Sequence, residues 1–183
     1  MKIPTHLLLV PALLMLGLAA VSCEGPPTTD YESEALHAKV MNTIQRFKTR
    51  DPSIKQFFDS AYGYAVFPSI GKGAAGIGGA HGYGEVFEQG EVIGVTELSQ
   101  ATIGFQLGGQ TYREIIFFKD QLALQDFTSG EYAFSAQASA VAAEAGAAAE
   151  TDYESGVAVF LMVKGGLMAE ASVGGQQFRF YPK

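Results

Sequence analysis

Residues 61–88 read AYGYAVFPSIGKGAAGIGGAHGYGEVFE, and this stretch decides the fold. Glycine at this density disfavours a helix interior, because each one sacrifices more backbone freedom than any other residue. A flexible linker is also excluded, since tyrosine, phenylalanine, isoleucine and valine are interleaved with the glycines. Positions 76, 78, 80, 82 and 84 are Gly, Gly, Ala, Gly and Gly. The positions between them hold Ile77, Gly79, His81, Tyr83 and Glu85, mostly large. Side chains in a strand alternate between two faces, so the spacing predicts a strand with one nearly bare face. Such a face admits another backbone, a helix or a ligand at close range.

Working towards the C-terminus, the pattern stays mainly β. Strands are expected at Tyr62–Pro68, Ala74–Glu88, Val92–Glu97 and Ala101–Phe118, the last broken near Gly108-Gly109. Glu88-Gln89-Gly90-Glu91 is a hairpin turn. Asp120 to Phe127 is a short helix. Later strands fall at Tyr132–Ser139, Ser155–Val163, Leu167–Val173 and Gln177–Tyr181, while Ala140 to Glu150 suits either a helix or a thin strand. Short links favour antiparallel pairing, since parallel links need a dozen or more residues. The fold class is therefore α+β: two N-terminal helices packed on a curved, mostly antiparallel Gly-rich sheet, with partial barrel closure.

Those helices precede the glycine-rich stretch. Leu36, Val40, Ile44 and Phe47 form one apolar stripe over Glu32–Arg50. Lys39, Arg46 and Arg50 run along one edge of the stripe, and Lys48 lies on the other. Asp51-Pro52 ends this helix and caps a second at Ser53–Ser60. Further back, residues 1–22 read as a secretory signal: Lys2, an apolar run from Leu7 to Val21, then small residues before Cys23. Ala20-Val21-Ser22-Cys23 resembles a lipobox, and Cys23 is the single cysteine of the chain. Residues 23–31 are then a lipidated cysteine with a short Pro/Thr spacer, and residues 32–183 are one domain. Glu24, rather than aspartate, follows the cysteine, which points to the outer membrane facing the periplasm.

The chain has 19 acidic against 12 basic residues, a net charge of −7. An acidic chain of this kind argues against nucleic-acid binding. Gly71-Lys72-Gly73-Ala74-Ala75-Gly76 satisfies G-x-G-x-x-G, but a strand rather than a helix follows, so a dinucleotide site is not expected. Ser69 and Lys72 satisfy S-x-x-K, but Pro68 and the glycines disfavour the helical turn that chemistry needs. Beyond His6 in the signal, only His37 and His81 remain, far apart, so no metal cluster or cofactor is expected. The informative feature is Lys39, Arg46, Lys48, Arg50 and Lys55 against Asp51 alone over residues 35–55. An apolar stripe edged with cations suits a helix on an anionic membrane surface.

The 61–88 stretch resembles the SYLF domain, a family of bacterial lipoprotein-like proteins with eukaryotic members. The likeness continues through Ser99-Gln100-Ala101-Thr102-Ile103-Gly104-Phe105-Gln106-Leu107-Gly108-Gly109-Gln110 and Lys164-Gly165-Gly166-Leu167-Met168-Ala169. It spans about Leu36 to Tyr181, and it departs at Val95-Thr96, where many members carry Trp-Ser. The resemblance implies lipid binding without enzymatic activity, and it makes Lys72, in the F-P-S-x-x-K-G segment, a headgroup contact. The expected function is thus a membrane-anchored envelope lipoprotein. It would bind anionic phospholipid through Lys39, Arg46, Lys48, Arg50, Lys55 and Lys72. The alternative is a structural or interaction protein that docks a partner on the glycine-lined face.

Overall fold

The structure is a computed structural model that describes residues 25–104, 110–135, 139–164 and 173–183. Cys23, the signal segment, Gly108-Gly109 and most of the expected 167–173 strand lie outside the described residues. Helix α1 spans Asp30–Arg50. It begins two residues before the apolar pattern predicts, because Thr29 and Glu32 form a capping box that satisfies two orphan amides reciprocally. A 3-10 turn at Pro52–Ile54 leads into α2, Lys55–Ser60. Then follow β1 (Gly63–Glu88), β2 (Glu91–Gly104) and β3 (Gln110–Phe118). Helix α3 (Gln121–Thr128), β4 (Glu131–Ala133), β5 (Val141–Ala142), β6 (Val157–Val163) and β7 (Gln176–Pro182) complete the described chain. The fold is α+β, as the sequence predicts, and the sheet curls into a half-barrel.

The strand order is β4-β7-β2-β1-β3-β6-β5. Pairing is antiparallel except between β5 and β6. That short parallel pair, followed by a 3-10 turn at Ala147–Glu150, resolves the ambiguous alanine-rich segment. Gln89 and Gly90 both have positive φ, 52° and 89°, which gives the β1–β2 hairpin the turn geometry that matches strand twist.

β1 doubles back on itself. Its first part pairs with β3 and its second part with β2. Gly63 lies against Phe87, Val66 against Gly84, and Ser69 against Gly82. Tyr64 stacks on Phe87 at 4.7 Å. These contacts run in opposite directions along the chain, so the two parts behave as neighbouring antiparallel strands, as the sequence pattern predicts. The bare face is real, but at Gly82 and Gly84 it is filled by this chain's own backbone rather than left open.

One bulge sets which side chains face where. Phe67 pairs with Glu114 and Ile70 with Tyr112, so β1 carries one extra residue at Pro68-Ser69. A bulge tolerates a proline that cannot donate to the ladder. Before it, Ala65 and Phe67 face the half-barrel interior; after it, Ile70, Ala80 and Val86 do.

Both faces of the sheet are covered. Inside the curl, Phe67, Leu98, Ile116, Phe118 and Phe178 pack with Leu124 and Phe127 of α3. On the convex face, Leu36, Val40, Ile44 and Phe47 of α1 meet Val66, Ile115, Phe117 and Phe160. The α1 stripe is thus core. Burial of each such side chain contributes about 1.5–3 kcal/mol.

Candidate functional site

Alternation along β3 positions the site. Ile115 and Phe117 pack beneath α1. Arg113 is two residues before Ile115 and therefore shares its face. It points towards α1 rather than into the barrel. Lys164 follows the last residue of β6 and receives its place from the backbone, its N–H donating to Thr111 O at 2.8 Å. From the opposite wall, α1 presents Lys39, Asn42 and Thr43. The β1 bulge supplies Pro68 and Ser69 as the floor. The result is a groove of about 490 Å³ between helix and sheet. Among the described residues, no carboxylate lines it. Arg46 stands one turn further along α1, its Nε donating to Asn42 Oδ1 at 2.7 Å.

The cations in this groove act on one another. Burial lowers the Lys164 pKa, and Arg113, Lys39 and Arg46 lower it further. Burial likewise lowers that of Arg113, with Arg46 adding to the effect. Among the described residues, no ion pair joins any of these four to an acid. Like charges held together without counter-charge favour an anion, because binding one replaces repulsion with attraction. Hydroxyls of Thr43 and Ser69 and the Asn42 amide supply further hydrogen-bonding groups. The contrast is a wider groove of about 690 Å³ beside β4 and β6, which carries Glu150, Asp152 and Glu154 and, among the described residues, no cation.

The structure divides the cations predicted from sequence. Lys39 lines the groove and Arg46 stands beside it. Arg50 lies on the same edge of α1, where its Nε donates to Ala143 O at 3.3 Å. Lys48 sits over the Phe58 ring, 4.4 Å from its centroid. Lys55 pairs with Asp59. Lys72 shares the face of Ile70, two residues earlier, and so lies on the interior side of β1, away from α1. Ser69 and Lys72 are on a strand, not a helical turn. Sequence reasoning missed Arg113 and Lys164. The cue for Arg113 was its position two residues before an apolar alternation; for Lys164 it was the end of one. Neither reveals which strand end abuts α1.

The two histidines are held by carboxylates. His81 Nε2 lies 3.1 Å from Glu97 Oε1, while Tyr181 OH donates to Glu97 Oε2 at 2.7 Å. His37 Nδ1 lies 2.9 Å from Glu85 Oε2, and burial raises the Glu85 pKa against that contact. Among the described residues, no group of three or more His, Cys, Asp or Glu side chains could hold a metal ion. None of the described helices is long and apolar enough to cross a membrane.

Fold and groove together define a class: an α+β half-barrel with a cationic cleft under its first long helix. Residues 99–181 match the Ysc84 family model, described as "Las17-binding protein actin regulator". The chain is also similar to Beta cell expansion factor A of Aeromonas veronii, 26% identical over 166 residues. That alignment covers 84% of this chain and 59% of the relative, so the chain spans less than two thirds of that protein's length. Residues 99–181 are thus similar to the SYLF-family domain, and this relative is itself a SYLF-family protein. The matched stretch includes Arg113 and Lys164; α1 and β1 precede it.

Proposed function

We propose that this chain is a non-enzymatic, membrane-anchored envelope lipoprotein whose SYLF domain binds anionic phospholipid. The headgroup site is the groove formed by Lys39, Arg113 and Lys164, with Arg46 alongside. The single observation that supports this reading is the meeting of four cations from three elements, with no carboxylate among the described lining residues, in a chain of net charge −7. An acidic protein is repelled by anionic membrane except where such a local excess faces the surface. The proposal moves the contact from the whole basic helix to one edge of it plus the sheet. Lys48 and Lys55, already engaged within the domain, contribute little, and Lys72 is on the wrong face.

Cys23 carries the anchor, and residues 24–29 tether α1 close to the bilayer. A short tether raises the effective concentration of headgroups, so a weak groove contact is occupied. The protein is exported and held at the outer membrane facing the periplasm. The test is flotation of purified residues 24–183 with anionic and with zwitterionic vesicles. Selective flotation with anionic vesicles, lost on reversing groove charges, supports the reading. Flotation indifferent to lipid charge, or none at any salt concentration, rejects it and leaves a protein partner as the function to pursue.

A further inference from the structure

β3 and β7 are separated in the sheet by β1 and β2, yet they are bonded to each other through their side chains. Gln176 Nε2 donates to Glu114 Oε2 at 3.0 Å and to Tyr112 OH at 3.3 Å. This contact crosses the half-barrel interior, and both Glu114 and Gln176 are fully buried. Among the described residues, Glu114 Oε1 and Gln176 Oε1 have no hydrogen-bond partner. Gln100, opposite Gln176 on β2, gives its own amide to Gly174 O at 2.9 Å, and its Oε1 is likewise unpartnered.

Among the described residues, the surroundings supply no charge to balance a carboxylate. Phe67 and Ile70 of β1, Leu98 of β2, Leu161 of β6 and Phe178 of β7 make up the apolar interior. Among the described residues packed on it, the titratable groups are the Tyr62 hydroxyl, which donates to Glu88 Oε1, and the hydroxyls of Tyr112 on β3 and Tyr132 on β4. Tyr132 is itself under the field of Asp126 on α3. Burial raises the pKa of the Tyr112 and Tyr132 hydroxyls above the ordinary tyrosine value. Lys72 is at the rim of the same face and makes no ion pair with Glu114. A charged carboxylate here loses its hydration without gaining a cation, so the neutral acid is the stable form.

We infer that the half-barrel interior is a proton-binding site: one proton on Glu114 keeps β7 closed against β3, and its loss loosens that seam. Burial pushes the Glu114 carboxyl up to about 8, with the Gln176 hydrogen bond opposing the shift. The sign follows from a folded-state pKa raised above that of the unfolded chain. The contribution is fully present below the ordinary carboxylate range and is lost as pH rises towards and through about 8. Between those limits the loosened form gains about tenfold per pH unit relative to the closed one, and above about 8 the gain levels off because both forms are ionised.

The test measures the purified protein and its Glu114→Gln variant, which keeps the shape and cannot ionise. Amide exchange is compared between the two at each pH from about 4 to 9, so that intrinsic base catalysis cancels. The expected result is equal protection of β7 and β4 at about pH 4, and wild-type exchange at about pH 9 at least several-fold faster than in the variant. Equal protection at both ends overturns the inference. If the variant fails to fold, the wild-type Glu114 carboxyl carbon shift decides alone. A midpoint well above the other glutamates supports the proton site, and one in the ordinary range, 4 to 5, overturns it.

Discussion

A Cβ placed on Gly82 would stand 2.6 Å from the carbonyl oxygen of Ser69. The next atoms it would meet, Ile70 Cγ1 and Cα, are at 3.0 and 3.1 Å. The contact is with backbone, which cannot swing aside as a side chain can. Gly82→Val should therefore push the two parts of β1 apart and destabilise the protein by about 1–3 kcal/mol. Thermal unfolding measures it. Gly90→Ala is the comparison, since Gly90 has open space around its Cβ and is strained only by its positive φ of 89°. An unchanged midpoint for Gly82→Val would mean the two parts of β1 are not in contact.

Asp51 joins the helical layer to the segment after β5. Its carboxylate accepts from Ser53 N at 3.0 Å, Gly146 N at 3.0 Å and Ala148 N at 2.7 Å, and from the Ser53 hydroxyl. Burial pushes its pKa up, but the Ser53 hydroxyl and these amides outweigh burial and hold it below the ordinary value. A depressed folded-state pKa gives stability that is present above the ordinary aspartate value and lost as pH falls through the folded one. Asp51→Ala should cost about 1–3 kcal/mol at neutral pH, because it orphans buried amides. Its stability should also fall less steeply than wild type on acidification below pH 4. Parallel acid limbs in urea titrations of the two proteins would show that Asp51 does not carry this linkage.

The helices and most strand positions were legible in the sequence because their signals are local. The stripe of Leu36, Val40, Ile44 and Phe47 needs only 3.6-residue periodicity, and Asp51-Pro52 is a local stop. What was illegible is non-local. Nothing near Pro68 reveals that β3 passes Phe67 at Glu114 and Ile70 at Tyr112, so the bulge could not be placed. Arg113 and Lys164 join Lys39 only once the β3–β6 register and the seat of α1 are known. The same limit hid Gln176 from Glu114, 62 residues apart in the chain. Composition gave the basic excess of α1 correctly, yet could not tell a cation facing a groove from Lys48 resting on Phe58.

The anchor is testable without reference to the groove. Cys23→Ala should release the protein into the soluble fraction of fractionated cells, because one acylated cysteine is the proposed membrane tie. Wild type should stay with membranes after a high-salt wash, since salt screens charge contacts but does not weaken an acyl chain. A Cys23→Ala protein that remains membrane-bound after that wash would remove the lipoprotein assignment.

Lys48 and Lys55 provide the internal control for the groove. Reversing both to glutamate should leave vesicle binding within a few-fold of wild type, because neither lines the groove. Lys48→Glu should nonetheless lower stability by about 0.5–1 kcal/mol through the lost ring contact. Binding abolished by this pair would return the site to the exposed face of α1.

The most direct measurement is the partitioning of residues 24–183 onto phosphatidylserine-containing vesicles, for wild type and for Lys39→Glu/Arg113→Glu/Lys164→Glu. Each cation near an anionic surface contributes about 1 kcal/mol, so the triple reversal should weaken partitioning by at least about 100-fold. Wild-type binding should also weaken steadily with added salt, as screening shortens the reach of charge to about 8 Å at physiological ionic strength. Circular dichroism and thermal midpoints should show both proteins folded. Partitioning that survives the triple reversal in a folded protein would contradict the groove as the lipid site.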